Sequence, residues 1–357
     1  VPHLYLALSG HGLGHLAQVA PVVNALGRQL PRLTLTVQTA LPREKVATRI
    51  RLPFSLIADP PDVGMVMDGP LRVLRGASLR AHYAFHADWN RRLRQQIGHL
   101  ERVRPDLILA DIPYLILAAA RQAGLPAVAL CSLNWADILS AYGNGPELDR
   151  LAGSIRETYQ GADLFLRPDP SMPMADLANA RSVGPVAEVG RDRRGELIER
   201  FPALSDRILV AALFGGIPTT GSGVEIPMPR DGGVALLAPR SWQQTHPSCY
   251  ALEDLGMSAP DVLASVHAAL VKPGYGTYVE AACVGTPLLC LPRPDWPETP
   301  YLTRWLQRVG RMGMLPPRPT ASQLETLLRV TLESPSKAPV QPSGVAEATA
   351  SLRNLLA

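Results

Sequence analysis

Aromatic residues and charge are both scarce in this chain: Phe, Trp and Tyr make up 5% of its 357 residues, and charged residues 18%. With few aromatics and no basic recognition motif, nucleic-acid binding is not expected, despite a formal net charge of +4. Lysine is confined to Lys45, Lys272 and Lys337, so arginine carries nearly all the positive charge. The four cysteines, Cys131, Cys249, Cys283 and Cys290, show no metal-ligand or redox spacing. Cys131, Cys283 and Cys290 lie in apolar segments and read as small buried thiols, which fits a reducing cytoplasm. No Asp-x-Asp pair or His/carboxylate set has spacing suited to a metal, so none is expected. No apolar run approaches the length needed to span a bilayer, and the chain opens on a strand-like run with no signal peptide in view. The first residue is not Met, which suggests that a short piece has been removed.

Apolar residues, by contrast, reach 46%, and the length is more than one core ordinarily organises, so two domains are the default. In the first half, short continuous apolar runs at Leu4–Ser9, Leu33–Thr39, Phe54–Ala58, Leu107–Ala110, Ala127–Cys131 and Leu164–Leu166 read as strands. Helical segments fall at about 13–30, 77–103 and 113–123. Strands of this kind are buried on both faces, which implies a parallel sheet with right-handed crossover helices. Around Ser182–Pro185 the character shifts to Gly, Pro and charge, and the interdomain connection is expected there. A second alternating series follows with strands at Ile208–Phe214, Val234–Ala238, Ala269–Val271 and Pro287–Leu291. Helices are expected at 278–284, near 299–309 and at 321–333. The expected organisation is a first domain over 1–185, a second over 186–340, and a terminal helix in 341–357 that packs back on the first. Asp59–Arg80, rich in Pro, Gly and Met, reads equally as an acceptor loop or as plain surface loop. Arg91, Arg92, Arg94, Arg102 and Arg104 share a helical stretch with Trp89 and read as a solvated face. Peripheral contact with an anionic membrane surface or an anionic acceptor stays open.

Two glycine-rich turns stand at strand-to-helix junctions. Lys272-Pro273-Gly274-Tyr275-Gly276-Thr277 precedes a helix carrying Glu280. Unpaired N–H groups and the helix dipole make such a terminus a phosphate site, and glycine lets the ligand approach the backbone. A carboxylate one turn in, at Glu280, suits the hydroxyls of a ribose. The other turn, Ser9-Gly10-His11-Gly12-Leu13-Gly14-His15, follows the first strand. It lacks the spacing and the acidic partner of a dinucleotide fingerprint. Its two histidines beside a helix N-terminus favour a site over a cap.

Taken in order, Gly12-Leu13-Gly14-His15, Gly215-Gly216 and Pro273–Glu280 resemble the inverting glycosyltransferases of the GT-B fold. The family-28 and UDP-glycosyltransferase groups are similar, and more so the glycosyltransferase-like half of L-arabinokinase and its bacterial relatives. That half is matched by Ser9–His15, Asp111-Ile112-Pro113, Asn134-Trp135, Ile138, Lys272–Glu280, Trp296, Glu298, Pro300 and Leu302. The resemblance implies an α/β fold of two doubly wound, Rossmann-like domains facing a central cleft. It makes His15 the general base and Asp111 the residue that orients it, with His11 as the rival base. Gly14, Gln18, Asn134 and Trp135 fall on the acceptor side. Gly215, Gly216, Lys272–Thr277, Glu280, Glu298 and Thr299 fall on the donor side, where Trp242 could stack on the base. The chain departs from the pattern at Gln18, where these relatives carry arginine, so a fixed charge toward an anionic acceptor or the donor phosphate is missing.

The activity implied is an inverting, metal-independent transfer of a sugar from a nucleotide sugar, a UDP-sugar first of all, to an acceptor hydroxyl. No cofactor is implied beyond that co-substrate. Acceptor identity and oligomeric state are open. The rivals are a nucleotide-sugar hydrolase or epimerase on the same fold and a non-catalytic nucleotide-sugar-binding accessory protein. A cytoplasmic protein, at most attached to the inner face of the membrane, is expected.

Overall fold

The computed structural model describes residues 1–215, 232–240 and 248–356. They form two compact units, one of Val1–Val66, Val73–Val186 and Ser343–Ala357, the other of Met67–Arg72 and Ala187–Pro342. The short segment 67–72, inside the stretch read as the first domain, therefore groups with the second unit.

The chain opens with β1 (His3–Leu8), α1 (Gly14–Gln29), β2 (Thr34–Gln38), α2 (Arg43–Ala47) and β3 (Ser55–Ile57). A small hairpin of β4 (Met67–Asp68) and β5 (Arg72–Val73) leads into α3 (Arg75–Ala87) and α4 (Trp89–Val103). Then come β6 (Leu107–Asp111), α5 (Tyr114–Ala123), β7 (Ala127–Leu130), α6 (Trp135–Ser140), α7 (Pro146–Gln160), β8 (Leu164–Pro168) and β9 (Ala180–Val183). The seven-stranded sheet runs β3-β2-β1-β6-β7-β8-β9, and its pairings are parallel. β6 is buried along its whole length, as expected of a strand covered on both faces.

The second unit contains α8 (Arg194–Arg200), β10 (Ile208–Leu213), β11 (Val234–Ala238), β12 (Cys249–Ala251), α9 (Ala259–Ser265) and β13 (Ala268–Val271). It continues with α10 (Tyr275–Val284), β14 (Leu288–Cys290), α11 (Thr299–Val309), β15 (Met312–Met314) and α12 (Ala321–Glu333). Its parallel sheet runs β12-β11-β10-β13-β14-β15. Alternate residues of β10 enter two cores, Leu209 and Ala211 on one face, Val210 and Ala212 on the other. The chain ends in α13 (Gly344–Leu356), whose Ala348 and Leu352 join the core of the first unit against Val19, Val23 and Leu26 of α1.

The single helix expected over 77–103 is two, broken at Asp88 (φ −106°, ψ 19°). Asp88 competes for local hydrogen bonds, here with the Arg91 side chain at 2.8 Å, instead of continuing a helix. The arginine row of α4 is partly engaged within the unit: Arg92 lies 4.5 Å from the centre of the Phe85 ring, and Arg102 donates to His99. No helix among the described residues is long and apolar enough to cross a membrane.

Strand order reverses between β1 and β6 in one sheet and between β10 and β13 in the other. Crevices beyond the carboxyl ends of strands at such reversals are where α/β sheets bind ligands. The four segments at the carboxyl ends of these strands are Ser9–His15, Asp111–Pro113, Phe214–Gly215 and Lys272–Gly274.

Candidate active site

In the first unit, Ser9 donates its backbone N–H to the Asp111 carbonyl at 2.8 Å, which ties the ends of β1 and β6 together. The chain then turns tightly: Gly12 has φ +77°, and a Cβ on Gly10 would meet the Ala40 Cβ at 2.9 Å. The turn delivers His15 into the first helical turn of α1, where its Nδ1 lies 2.8 Å from Asp111 Oδ1. Both side chains are buried, at 7% and 0% exposure. An Nδ1–H that donates to the carboxylate leaves the imidazole lone pair on Nε2, the tautomer a general base needs. His15 is inside the helix rather than at its cap, a position taken by Leu13.

His11, the rival base, is half-buried, and its Nδ1 accepts the Met65 backbone N–H at 3.3 Å. That bond puts the proton of a neutral ring on Nε2, so His11 offers no lone pair there. The remaining residues expected on the acceptor side, Gln18, Asn134, Trp135 and Gly14, have defined places within the first unit. Gln18 donates to Ser132 Oγ at 3.0 Å and accepts the Ser132 N–H at 3.2 Å, a neutral buried clamp between α1 and the end of β7. An arginine would bring an uncompensated charge there. Asn134 caps α6, accepting the Asp137 N–H at 2.8 Å. Replacing it with Ala should cost about 1 kcal/mol in chemical denaturation, with nucleotide affinity unchanged. Gly14 has open space where a Cβ would be. Trp135 is fully buried, its ring 5.8 Å from His15 and 5.9 Å from His11.

Three side chains able to bind a metal meet here among the described residues: ligand atoms of His15, Asp111 and Cys131 lie within 4.8 Å of one another. Cys131 Sγ is 3.8 Å from the same His15 Nδ1 that Asp111 holds. An ion on Nδ1 and the His15–Asp111 hydrogen bond are therefore mutually exclusive.

In the second unit, Lys272 directly follows β13, and its Nζ lies between the two glycine turns. A Cβ on Gly215 would stand 3.6 Å from Lys272 Nζ, and one on Gly274 3.7 Å. Gly215 has φ +68° and needs glycine. Gly274, at the N-cap of α10, does not: its φ of −172° is extended, and it supplies no side-chain cap to the helix. Burial above all, then the charge of Arg293, pulls the Lys272 pKa down to about 7 against the pull of Glu298. Pro273, Tyr275, Gly276 and Glu280 are buried and Thr277 is half-buried. Burial, with Glu280 nearby, pushes the Cys283 thiol up to about 12, which leaves it inert.

Arg293, which no sequence signal had marked, is 3% exposed, with its guanidinium 4.1 Å from the centre of the Trp296 ring. Trp296 donates to Glu298 Oε2 at 3.0 Å, and the Thr299 hydroxyl donates to the Arg293 carbonyl at 3.0 Å. The Arg-Pro-Asp-Trp run straight after an apolar strand was the available hint. Gly216 and Trp242 lie outside the described residues.

No protein-family profile matches the chain. It is similar to L-arabinokinase of Arabidopsis thaliana, with 26% identity over 314 residues, covering 85% of this chain and 30% of that protein. The chain thus spans under a third of the curated relative's length. Among solved structures it is similar to CalG4, the calicheamicin glycosyltransferase (TM-score 0.58, 16% identity, 99% of this chain and 94% of that one). It is also similar to Arabidopsis thaliana UGT89C1 complexed with UDP (TM-score 0.62, 14% identity, all of both chains). A third likeness is to a putative UDP-N-acetylglucosamine 2-epimerase from Listeria monocytogenes (TM-score 0.56, 13% identity, 98% and 94%). Together these establish a two-domain α/β GT-B fold.

Proposed function

We propose that the protein transfers a sugar from a nucleotide sugar, first of all a UDP-sugar, to an acceptor hydroxyl with inversion at the anomeric carbon. The observation that carries this reading is the pairing of chemistries at the two sheet reversals. One holds a buried imidazole–carboxylate pair, the other an ammonium between glycine turns at a helix N-terminus. Similarity to L-arabinokinase and to UGT89C1 in its UDP complex supports it.

His15 takes the proton of the acceptor hydroxyl, and Asp111 steadies the imidazolium that forms. The acceptor oxygen bonds to the anomeric carbon while the bond from that carbon to the diphosphate oxygen breaks, its electron pair leaving with the nucleotide. Lys272 and the amides at the start of α10 stabilise the charge that develops on the leaving diphosphate. Glu280 is suited to the ribose hydroxyls and Glu298 to the sugar. Gln18, a neutral side chain locked to Ser132, gives an anionic acceptor no fixed partner. The buried thiols of Cys131, Cys283 and Cys290, none of them in a disulfide, support a reducing, cytoplasmic setting.

Lys272 makes the donor site testable. A lysine that titrates at about 7 and then meets a diphosphate becomes protonated on binding. Calorimetry of UDP in buffers of different ionisation enthalpy should give proton uptake rising from pH 7 to about one proton per nucleotide near pH 8.5. Lys272→Met should abolish it. UDP binding without buffer dependence would take Lys272 out of the diphosphate site.

The likeness to a putative epimerase favours one second reading, hydrolysis or epimerisation of the nucleotide sugar alone. Acceptor-dependent release of nucleotide separates transfer from both.

A further inference from the structure

His15, Asp111 and Cys131 are far apart in the sequence and carry no local metal-ligand spacing, but the fold brings them together from three elements. His15 stands in the first turn of α1, Asp111 ends β6 and Cys131 directly follows β7. Two of them are held through their backbone. The Ser9 N–H donates to the Asp111 carbonyl at 2.8 Å, and the Cys131 N–H donates to the Leu166 carbonyl of β8 at 3.1 Å. The Gln18–Ser132 clamp joins α1 to the residue after Cys131. His15 Nδ1 lies 2.8 Å from Asp111 Oδ1 and 3.8 Å from Cys131 Sγ, and the three ligand atoms are within 4.8 Å of one another. All three side chains are buried.

We propose that these three side chains bind a thiophilic divalent cation of the Zn²⁺ kind, and that its binding silences His15. The binding stands on the geometry alone; the silencing rests on His15 being the base of the transfer proposed above. A tetrahedral ion with bonds of about 2.0–2.3 Å holds its ligand atoms about 3.4–3.6 Å apart. Nδ1 and Sγ are already near that spacing, and Nδ1 and Oδ1 reach it as the hydrogen bond between them gives way. A thiolate beside an imidazole selects such an ion over Mg²⁺ or Ca²⁺, which favour oxygen ligands in greater number. Thiolate and carboxylate set two negative charges against the two of the cation, so no net charge is left buried. On binding, the thiol releases its proton to solvent and the imidazole proton passes from Nδ1 to Nε2. Lone pairs of Nδ1, Oδ1 and Sγ enter the bonds to the metal, whose oxidation state does not change. A neutral ring with Nε2–H has no lone pair there for the proton of an acceptor hydroxyl. The metal-loaded protein is thus the inactive form.

Co²⁺ is the spectroscopic probe, added to protein without nucleotide or acceptor, so that its binding is read independently of transfer. One equivalent should bind with a sulfur-to-cobalt charge-transfer band, the mark of a thiolate ligand. Cys131→Ser should lose the band and weaken Co²⁺ binding more than about a hundredfold, since losing a group that only supports a ligand already costs up to that much. Cys249→Ser, which removes the half-buried thiol, should keep both. If Cys131→Ser does not fold, NMR of the Cd²⁺-loaded wild type decides. The cadmium resonance should report one sulfur beside nitrogen and oxygen, and the His15 ring should carry its proton on Nε2. Zn²⁺ should stop acceptor-dependent release of UDP by the wild type at concentrations that leave Cys131→Ser at its own metal-free rate. No charge-transfer band, a band that persists in Cys131→Ser, or a cadmium resonance without sulfur overturns the site. Full turnover with the ion bound overturns the silencing. Failure of the transfer reading would register separately, as no acceptor-dependent release of UDP from metal-free protein that still binds Co²⁺ through Cys131.

Discussion

His15→Asn should lower turnover by two or more decades while changing UDP affinity by less than about twofold, because a positioned base contributes roughly 10²–10⁴-fold. His15 and the Lys272–Gly274 turn belong to different units, so loss of the proposed base should leave the proposed nucleotide site intact. Asparagine is a fair helix-terminus residue, but His15 sits past the cap at Leu13, and its side chain crosses to β6. Preserved helix structure with a lost rate is therefore the expected outcome. Asp111→Asn should reproduce most of the loss, since an amide N–H facing Nδ1 drives the ring to the other tautomer and puts a proton on Nε2. The double variant should be no slower than the slower single one, as befits two groups that act as a unit. Additive losses, or a wild-type rate in His15→Asn, would break the pair.

Gly274→Val should weaken UDP binding about a hundredfold, close to 2.7 kcal/mol, and leave the melting temperature nearly unchanged. The two effects separate because Gly274 is extended and a Cβ there meets nothing nearer than Lys272 Nζ at 3.7 Å. A β-branched residue suits that backbone. Its methyl groups would fill the space beside Lys272 Nζ that the proposed function gives to a diphosphate. Gly215→Ala is the contrast: with φ +68°, it should lose roughly 1 kcal/mol of stability as well as affinity. Comparing calorimetric affinity with thermal melting for the pair tests the assignment. Equal UDP affinity in Gly274→Val and wild type would remove this turn from the donor site.

Much of the candidate site was legible because strands buried on both faces announce themselves as continuous apolar runs, and the candidate residues stand at their carboxyl ends. Leu4–Ser9 and Leu107–Ala110 locate His15 and Asp111 without any contact information, as Ile208–Phe214 and Ala269–Val271 locate Gly215 and Lys272. What was missed depends on tertiary placement or on weak local signal. β9, β12 and β15 are three or four residues long, too short for a period. The break at Asp88 pits one side chain against a strongly helical surround. Arg293 acquires its place from the Trp296 ring beside it and from burial. The sequence marked Gln18 as a departure; only its clamp on Ser132 explains how a neutral residue is satisfied there.

The central claim is tested most directly by following, with NMR, a UDP-sugar incubated with the protein and a mixed panel of hydroxyl acceptors. The account predicts acceptor-dependent release of UDP, a product whose anomeric configuration is opposite to that of the donor, and loss of both in His15→Asn. Product of retained configuration, or inverted product formed as fast by His15→Asn as by wild type, would contradict it.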